Sequence, residues 1–241
     1  MTRQIFASAL FAGLMAAIVA TLLQVWLLAP LILEAERYER GEVVHFAGVH
    51  GKTVAAPAMD AAAMPAETPV SLVERDLMTL SMNLVIFTGY GLVLAALFAL
   101  SEAAGRLVGP LSGALWGLAA FAALNLAPAV TLPPELPGIP AADLAGRQVW
   151  WVLTVAATGL GLAAIFLRPA PLTIAAGVGL ILLPHVIGAP KLAEFGGIVA
   201  PELSAEFAAR SLAVAAVQMM TLGAALALAF NRLGARHPAP A

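Results

Sequence analysis

The chain has 241 residues, of which 61% are hydrophobic and only 11% are charged. A soluble domain carries about 25% charged residues, so this composition excludes an ordinary soluble globular protein. The formal net charge of −2 argues against a nucleic-acid partner. The chain has no cysteine, which excludes disulfides, thiolate metal sites and cysteine nucleophiles.

Six uncharged stretches of 20 residues or more divide the sequence. A helix of about 20 apolar residues crosses the hydrocarbon core of a bilayer, which is about 30 Å thick. Backbone groups in lipid must be paired internally, so these stretches are expected to be helices. The sequence therefore predicts an all-α, polytopic transmembrane bundle that forms a single domain over residues 1–241. The six predicted helices run near Ile5–Leu28, Leu77–Leu100, Leu111–Val130, Val149–Leu167, Leu172–Ile187 and Leu212–Phe230.

The first helix is predicted to be a retained span rather than a signal peptide. Its uncharged run has 30 residues, whereas the apolar part of a signal peptide has about 7–15. The main extramembrane segment follows it as a polar outer loop over residues 34–76.

Six spans place both termini on one side of the membrane. The charge on that side is nearly all arginine, in tight loops, and Glu102 is its only acid. The other side holds 13 of the 14 acids and seven of the 12 basic residues, four of them in the long first loop. Short loops rich in arginine favour the cytoplasm. We therefore expect a multi-pass protein of the plasma (inner) membrane with both termini cytoplasmic and residues 34–76 outside.

A short pattern recurs three times along the chain. Ala-Pro stands at the outer end of each odd helix, and a pentapeptide that begins with a polar residue and ends in arginine precedes each even helix. The dipeptides are Ala29-Pro30, Ala127-Pro128 and Ala189-Pro190, and the pentapeptides run 71–75, 143–147 and 206–210. The first residue and the arginine of each pentapeptide are one helical turn apart and can pair. The pattern indicates three similar hairpins; the alternative is that these residues recur by composition alone.

Glycines recur at four-residue spacing along the third predicted helix, at Gly105, Gly109, Gly113 and Gly117. Small residues at this spacing let helix backbones approach closely in lipid. We expect this stripe to be a helix-packing seam.

Two candidate metal ligands stand beside prolines at the outer mouth of the bundle. His185 follows Pro184 near the end of the fifth helix, and Glu135 lies in the proline-rich segment 132–138. Ionisable groups near membrane segments are costly and commonly functional, and imidazole with carboxylate suits a divalent transition metal. We predict that the two residues lie together and bind the ion during passage. The alternatives are a histidine that merely faces water and a solvated loop carboxylate.

His45 and His50 lie in the first loop, near three glutamates at 36, 39 and 42. The pair is a candidate accessory metal site, and simple solvated side chains are the alternative. Asn83, Asn125 and Gln218 fall inside three different helices. Such amides either clamp helices together or line a transport path.

Other chemistries find little support in the sequence. His50-Gly-Lys-Thr53 resembles the end of a phosphate-binding loop, but Phe46 occupies the position of its first glycine. A bis-histidine haem needs two intramembrane histidines, and only His185 is near a helix. We therefore expect no permanently bound cofactor and no enzymatic activity.

Several segments of the chain carry a family resemblance. They are the opening helix ending at 30–36, the Leu132-Pro-Pro-Glu-Leu-Pro-Gly138 segment with the following 147–151, the Leu183–Pro190 segment and Pro201-Glu-Leu203. Together they resemble the CbtA family, and the similarity runs over nearly the whole chain. The resemblance implies a proposed cobalt transporter subunit, linked to cobalamin biosynthesis, with cobalt(II) or a similar divalent metal as the transported ion. It also implies a small one-helix partner, CbtB, with a histidine-rich tail. The family is described with five spans, whereas the uncharged stretches predict six.

Three classes of function remain open at this stage. The leading hypothesis is a membrane permease subunit for a divalent metal ion. The alternatives are a membrane-embedded enzyme or electron-transfer subunit and a scaffold that holds a small metal-binding partner. A cofactor spectrum would favour the electron-transfer subunit, and ion uptake that required the partner alone would favour the scaffold.

Overall fold

A computed structural model describes residues 2–43, 71–192 and 196–234, and it contains six helices in these ranges. They are α1 (Thr2–Glu39), α2 (Leu72–Ala103), α3 (Pro110–Ala129), α4 (Leu144–Leu167), α5 (Pro171–Ile187) and α6 (Pro201–Gly234). The predicted all-helical bundle of about six helices is confirmed.

Five of these helices are long and apolar enough to cross a membrane, and α5 is the shorter exception. The 17 residues of α5 span about 25 Å. It runs antiparallel to α4, because Gly177 lies against Gly161 while Trp150, near the start of α4, donates a hydrogen bond of 3.2 Å to the Pro184 carbonyl. The hairpin thus returns the chain along most of the length of α4.

The helices form a chain of neighbours rather than a ring. Helix α1 packs against both α2 and α6, and α6 packs in turn against α3. The α4–α5 hairpin joins this group mainly through the end of α3. The larger apolar core lies between α1, α2, α3 and α6.

Small side chains hold α1 against α2. Ala9, Ala12 and Ala16 are fully buried, and a Cβ placed on Gly13 would meet Thr88 of α2 at 2.7 Å. Helices whose backbones approach this closely make van der Waals contacts along their length. These contacts stabilise helix association in lipid, where the hydrophobic effect does not.

A second close approach joins α3 to α6. A Cβ placed on Gly113 or Gly117 would overlap the backbone of α6 at Gly223 or Met219. The other two glycines of the expected seam are not on the helix. Gly105 adopts a φ of +76° after α2 ends, and Gly109 is the residue before Pro110 opens α3. The helical seam therefore comprises Gly113 and Gly117.

Two helices widen into a π-helix directly before an Ala-Pro dipeptide, at Gln24–Leu28 in α1 and at Ala122–Leu126 in α3. Proline has no backbone N–H, so the carbonyl four residues earlier loses its helical partner. In α3 that carbonyl belongs to Leu124, and it accepts a hydrogen bond of 3.2 Å from the Trp151 indole. In α1 the nearby Leu27 carbonyl accepts from Arg210. Side chains of other helices thus satisfy carbonyls in both π segments.

The pentapeptides that open α2 and α4 share their local geometry. Ser71 and Asp143 cap the two helices by accepting from the backbone N–H three residues later. In α2 the arginine at the end of the pentapeptide, Arg75, does not pair with Ser71. It bridges at 2.8 Å to Glu36, at the end of α1.

The same bridge recurs in the second hairpin, where Arg147 of α4 pairs with Glu135 after α3. The pentapeptide 206–210 differs, because it lies inside α6 and its Glu206 pairs with its own Arg210. The expected pairing within the pentapeptide therefore occurs only in this third copy among the described residues. In the first two copies the polar residue, Ser71 or Asp143, caps the helix instead.

Candidate functional site

The segment after α3 holds one carboxylate in a fixed place. Leu136 is 3% exposed and packs into a core cluster with residues of α1 and α6. Pro133 and Pro134 precede Glu135, and their rings fix the backbone φ at those positions. The buried leucine and the two prolines therefore anchor Glu135 at the end of the bundle.

Glu135 makes an ion pair with Arg147 of α4, with the guanidinium nitrogen 2.9 Å from the carboxylate oxygen. Their side chains are 30% and 25% exposed. The pair thus lies at the boundary between protein and solvent, where water screens it only in part.

The two charged residues line a cleft of about 390 Å³ between α3, α4 and α6. Its wall also contains an amide, a hydroxyl and an indole, which belong to Asn125, Ser211 and Trp151. The π-helical turn Ala122–Leu126 carries Asn125 to the cleft. Such turns are frequent at functional sites.

Unsatisfied polar atoms lie at the cleft and deeper along α6. The Ser211 hydroxyl is buried and has no hydrogen-bond partner among the described residues. Seven residues further along α6, Gln218 is 6% exposed, and its Nε2 also lacks a partner there. Seven residues are two helical turns, or about 10 Å along the axis. The face of α6 that lines the cleft at Ser211 therefore continues inward to Gln218.

His185 has other neighbours. Its ring packs edge-on against Trp150, with the ring centroids 6.0 Å apart, and its Nδ1 is buried without a partner in the described part of the chain. Trp150 and Trp151 are adjacent on α4, so they point about 100° apart. Trp151 lines the Glu135 cleft, whereas His185 does not. His185 and Glu135 therefore contact different faces of α4. An ion site shared by these two residues stays a prediction.

Asn83 lies between α1 and α2. Its side-chain amide donates to Thr21 at 3.0 Å and to Gln24 at 2.8 Å, and the residue is 6% exposed. These bonds join two helices at the start of the first π segment. This geometry is that of a clamp, and lining of a path by Asn83 stays a prediction.

His45 and His50 lie outside the described residues, so their geometry is not addressed. Of the nearby glutamates, Glu36 and Glu42 both pair with arginine side chains. The hydrogen bond from Arg40 lowers the pKa of Glu42. Within residues 2–43, 71–192 and 196–234, no three histidine or carboxylate side chains form a cluster that could hold a metal ion.

Sequence reasoning missed three residues of the cleft. Arg147 was recognised as the end of a pentapeptide, but its partner Glu135 is outside that motif. Trp151 follows Arg147 by one helical turn, which is a usable signal for a shared face. Ser211 has no distinguishing pattern, because a single serine in a membrane helix usually bonds its own backbone.

A bundle of long apolar helices with a polar cleft at one end defines a polytopic helical membrane protein. A family model described as "Probable cobalt transporter subunit (CbtA)" matches residues 2–231 of the chain. The chain belongs to this family, so the resemblance expected from its sequence is confirmed. No curated protein and no solved structure matches it.

Proposed function

We propose that the chain is the permease subunit of a transport system for a divalent transition-metal ion, with cobalt(II) as the ion and cobalamin biosynthesis as its use. The cleft beside Glu135 carries the proposal. It combines an anchored carboxylate with an amide and an unpartnered hydroxyl at one end of an otherwise apolar bundle. Membership of the CbtA family supports the metal-transport role.

In this proposal the ion enters at the cleft and passes inward along α6. Glu135 supplies the charge, and Asn125 and Ser211 supply neutral oxygens, all of which are ligands for a divalent ion. So few protein ligands leave water on the ion, which keeps binding weak enough for release. Gln218 offers the next oxygen, about two helical turns further along the same face.

His185 is proposed as a further contact for the ion, reached from the α5 side of α4. Its unpartnered Nδ1 supports this role, because a neutral imidazole nitrogen is a good ligand for cobalt(II). His45 and His50 are proposed as an accessory collecting site in the first loop.

The proposed partner is a small single-helix subunit with a histidine-rich tail, like CbtB, beside the chain in the lipid bilayer. The family description of a subunit supports an assembly with other chains. The proposed orientation has both termini in the cytoplasm, because the ends of the helices on that side carry Arg3, Arg106, Arg168 and Arg232.

Cobalt accumulation in four strains tests the proposal. The strains express this chain, the small partner, both or neither, in cells whose own cobalt uptake has been deleted. The proposal expects accumulation to need this chain and to be highest with both. If the strain with the partner alone accumulated as much cobalt as the strain with both chains, the permease role would be overturned and a scaffold favoured. A visible cofactor spectrum in the purified chain would favour electron transfer instead.

A further inference from the structure

Arg147 already pairs with Glu135, the carboxylate that is proposed to bind the ion. Arg147 donates to one carboxylate oxygen of Glu135 at 2.9 Å. A metal ion that binds Glu135 must therefore share the carboxylate with a guanidinium or displace it.

The two partners differ in how firmly they are held. Glu135 stands between prolines and beside the buried Leu136, so its backbone is fixed. Arg147 reaches the carboxylate from the first turn of α4 by a long side chain that is 25% exposed. Arginine side chains of this kind can move their charged end into water while the stem stays on the protein. The arginine is therefore the partner that can leave.

We propose that Arg147 is a specificity-determining residue, a resident counter-cation that only a divalent ion displaces from Glu135. This inference rests on the proposed function. Coulomb attraction grows with the charge of the ion. A divalent ion therefore competes well with the guanidinium, whereas a monovalent ion has the same charge as arginine and lacks its directed hydrogen bond.

The first hairpin supplies a matched control within the chain. Arg75 pairs with Glu36 at 2.8 Å and at the corresponding point of α2. Glu36 also has Arg40 at 3.8 Å, and neither member of the pair lines the Glu135 cleft. Loss of Arg75 should thus remove a similar bridge and leave the selectivity for ions unchanged.

The test measures the binding of cobalt(II) chloride to the full chain in detergent, with increasing sodium chloride as the competitor. The variants are Arg147→Gln, Arg147→Lys and Arg75→Gln, each checked for the melting temperature of the parent. We expect Arg147→Gln to bind cobalt about fivefold more tightly, the effect of losing one partly exposed ion pair. We also expect sodium to compete better in this variant. Arg147→Lys and Arg75→Gln should behave as the parent does.

Two results would overturn the inference while the proposed function stands. One is weaker cobalt binding by Arg147→Gln, which would mean that the arginine only positions Glu135. The other is that the parent binds cobalt and Arg147→Gln binds it with the same affinity and the same sensitivity to sodium. If the parent neither binds nor transports cobalt, the proposed function itself fails.

Discussion

Arg147 and Glu135, 12 residues apart in the chain, are joined by a hydrogen bond of 2.9 Å. The bond connects the first turn of α4 to the segment that follows α3. A bridge of the same kind joins Arg75 to Glu36 in the first hairpin. Two similar hairpins thus end in similar ion pairs, and the second pair has a polar cleft beside it. This difference suggests which of the two carboxylates is available to an ion.

Because α3 and α6 approach closely at Gly117, a large side chain at this position should destabilise the protein. Gly117→Leu should lower the stability by about 1–3 kcal/mol or prevent folding, because the side chain would overlap the backbone of α6. Gly89→Leu is the matched control, since a Cβ at Gly89 would have no neighbour within 4 Å in the described part of the chain. Melting of the purified proteins in detergent is the measurement. Equal melting temperatures for both variants would show that the α3–α6 approach is looser than described.

Asn83 should contribute to stability rather than to transport. Asn83→Ala removes hydrogen bonds to Thr21 and Gln24, and we expect a loss of about 1 kcal/mol. Ser81→Ala is the control, because among the described residues Ser81 bonds only the Leu77 carbonyl of its own helix. Melting and cobalt uptake at matched protein level are the measurements. A variant with the stability of the parent and no uptake would place Asn83 on the ion path instead.

The topology can be tested with single cysteines, because the chain has none of its own. Ala104→Cys and Ala170→Cys lie at one end of the bundle, and Ala141→Cys and Gly196→Cys lie at the other. An impermeant thiol reagent on intact cells should label only positions 141 and 196. Labelling of position 104 would reverse the orientation. Labelling of both 170 and 196 would show that α5 does not cross the membrane.

The histidines of the first loop are expected to matter only when the ion is scarce. Replacing His45 and His50 together by alanine should reduce cobalt uptake at low external cobalt and leave uptake at high cobalt unchanged. His237→Ala, near the other end of the chain, is the control. Loss of uptake at both concentrations would show that the loop is part of the main ion path.

Much of the fold could be predicted from the sequence, because the long uncharged stretches have one stable arrangement in lipid. All six helices are found where those stretches lie. Their ends were less predictable, since α1 extends through charged residues to Glu39 and α6 begins at Pro201. Solvated polar turns continue these helices, and hydropathy gives no signal for them. The predicted glycine seam was too long for a related reason. Gly105 and Gly109 keep the four-residue spacing but lie in the turn between α2 and α3.

The site was harder to predict than the fold. Glu135 was singled out from the sequence because prolines on both sides imply a fixed backbone, and the structure places it at the cleft. Its lining depends on the rotation of α4 and α6 about their axes, which one sequence does not determine. The same rotation separates Trp151, at the cleft, from Trp150, which faces His185. The pairing of His185 with Glu135 rests on their common place at the outer mouth of the bundle and on their neighbouring prolines, and it stays a prediction.

Cobalt uptake by Glu135→Gln tests the central claim most directly. Glutamine keeps the size of the side chain and removes the charge that attracts the ion. Glu36→Gln is the matched control, because it breaks the corresponding ion pair to Arg75 away from the cleft. At equal protein level, equal melting temperature and abundant external cobalt, we expect Glu135→Gln to lose at least about tenfold in uptake, because even the outer-shell partners of metal ligands cost that much when they are lost. Under the same conditions Glu36→Gln should transport like the parent. Uptake by Glu135→Gln equal to that of the parent would contradict the account.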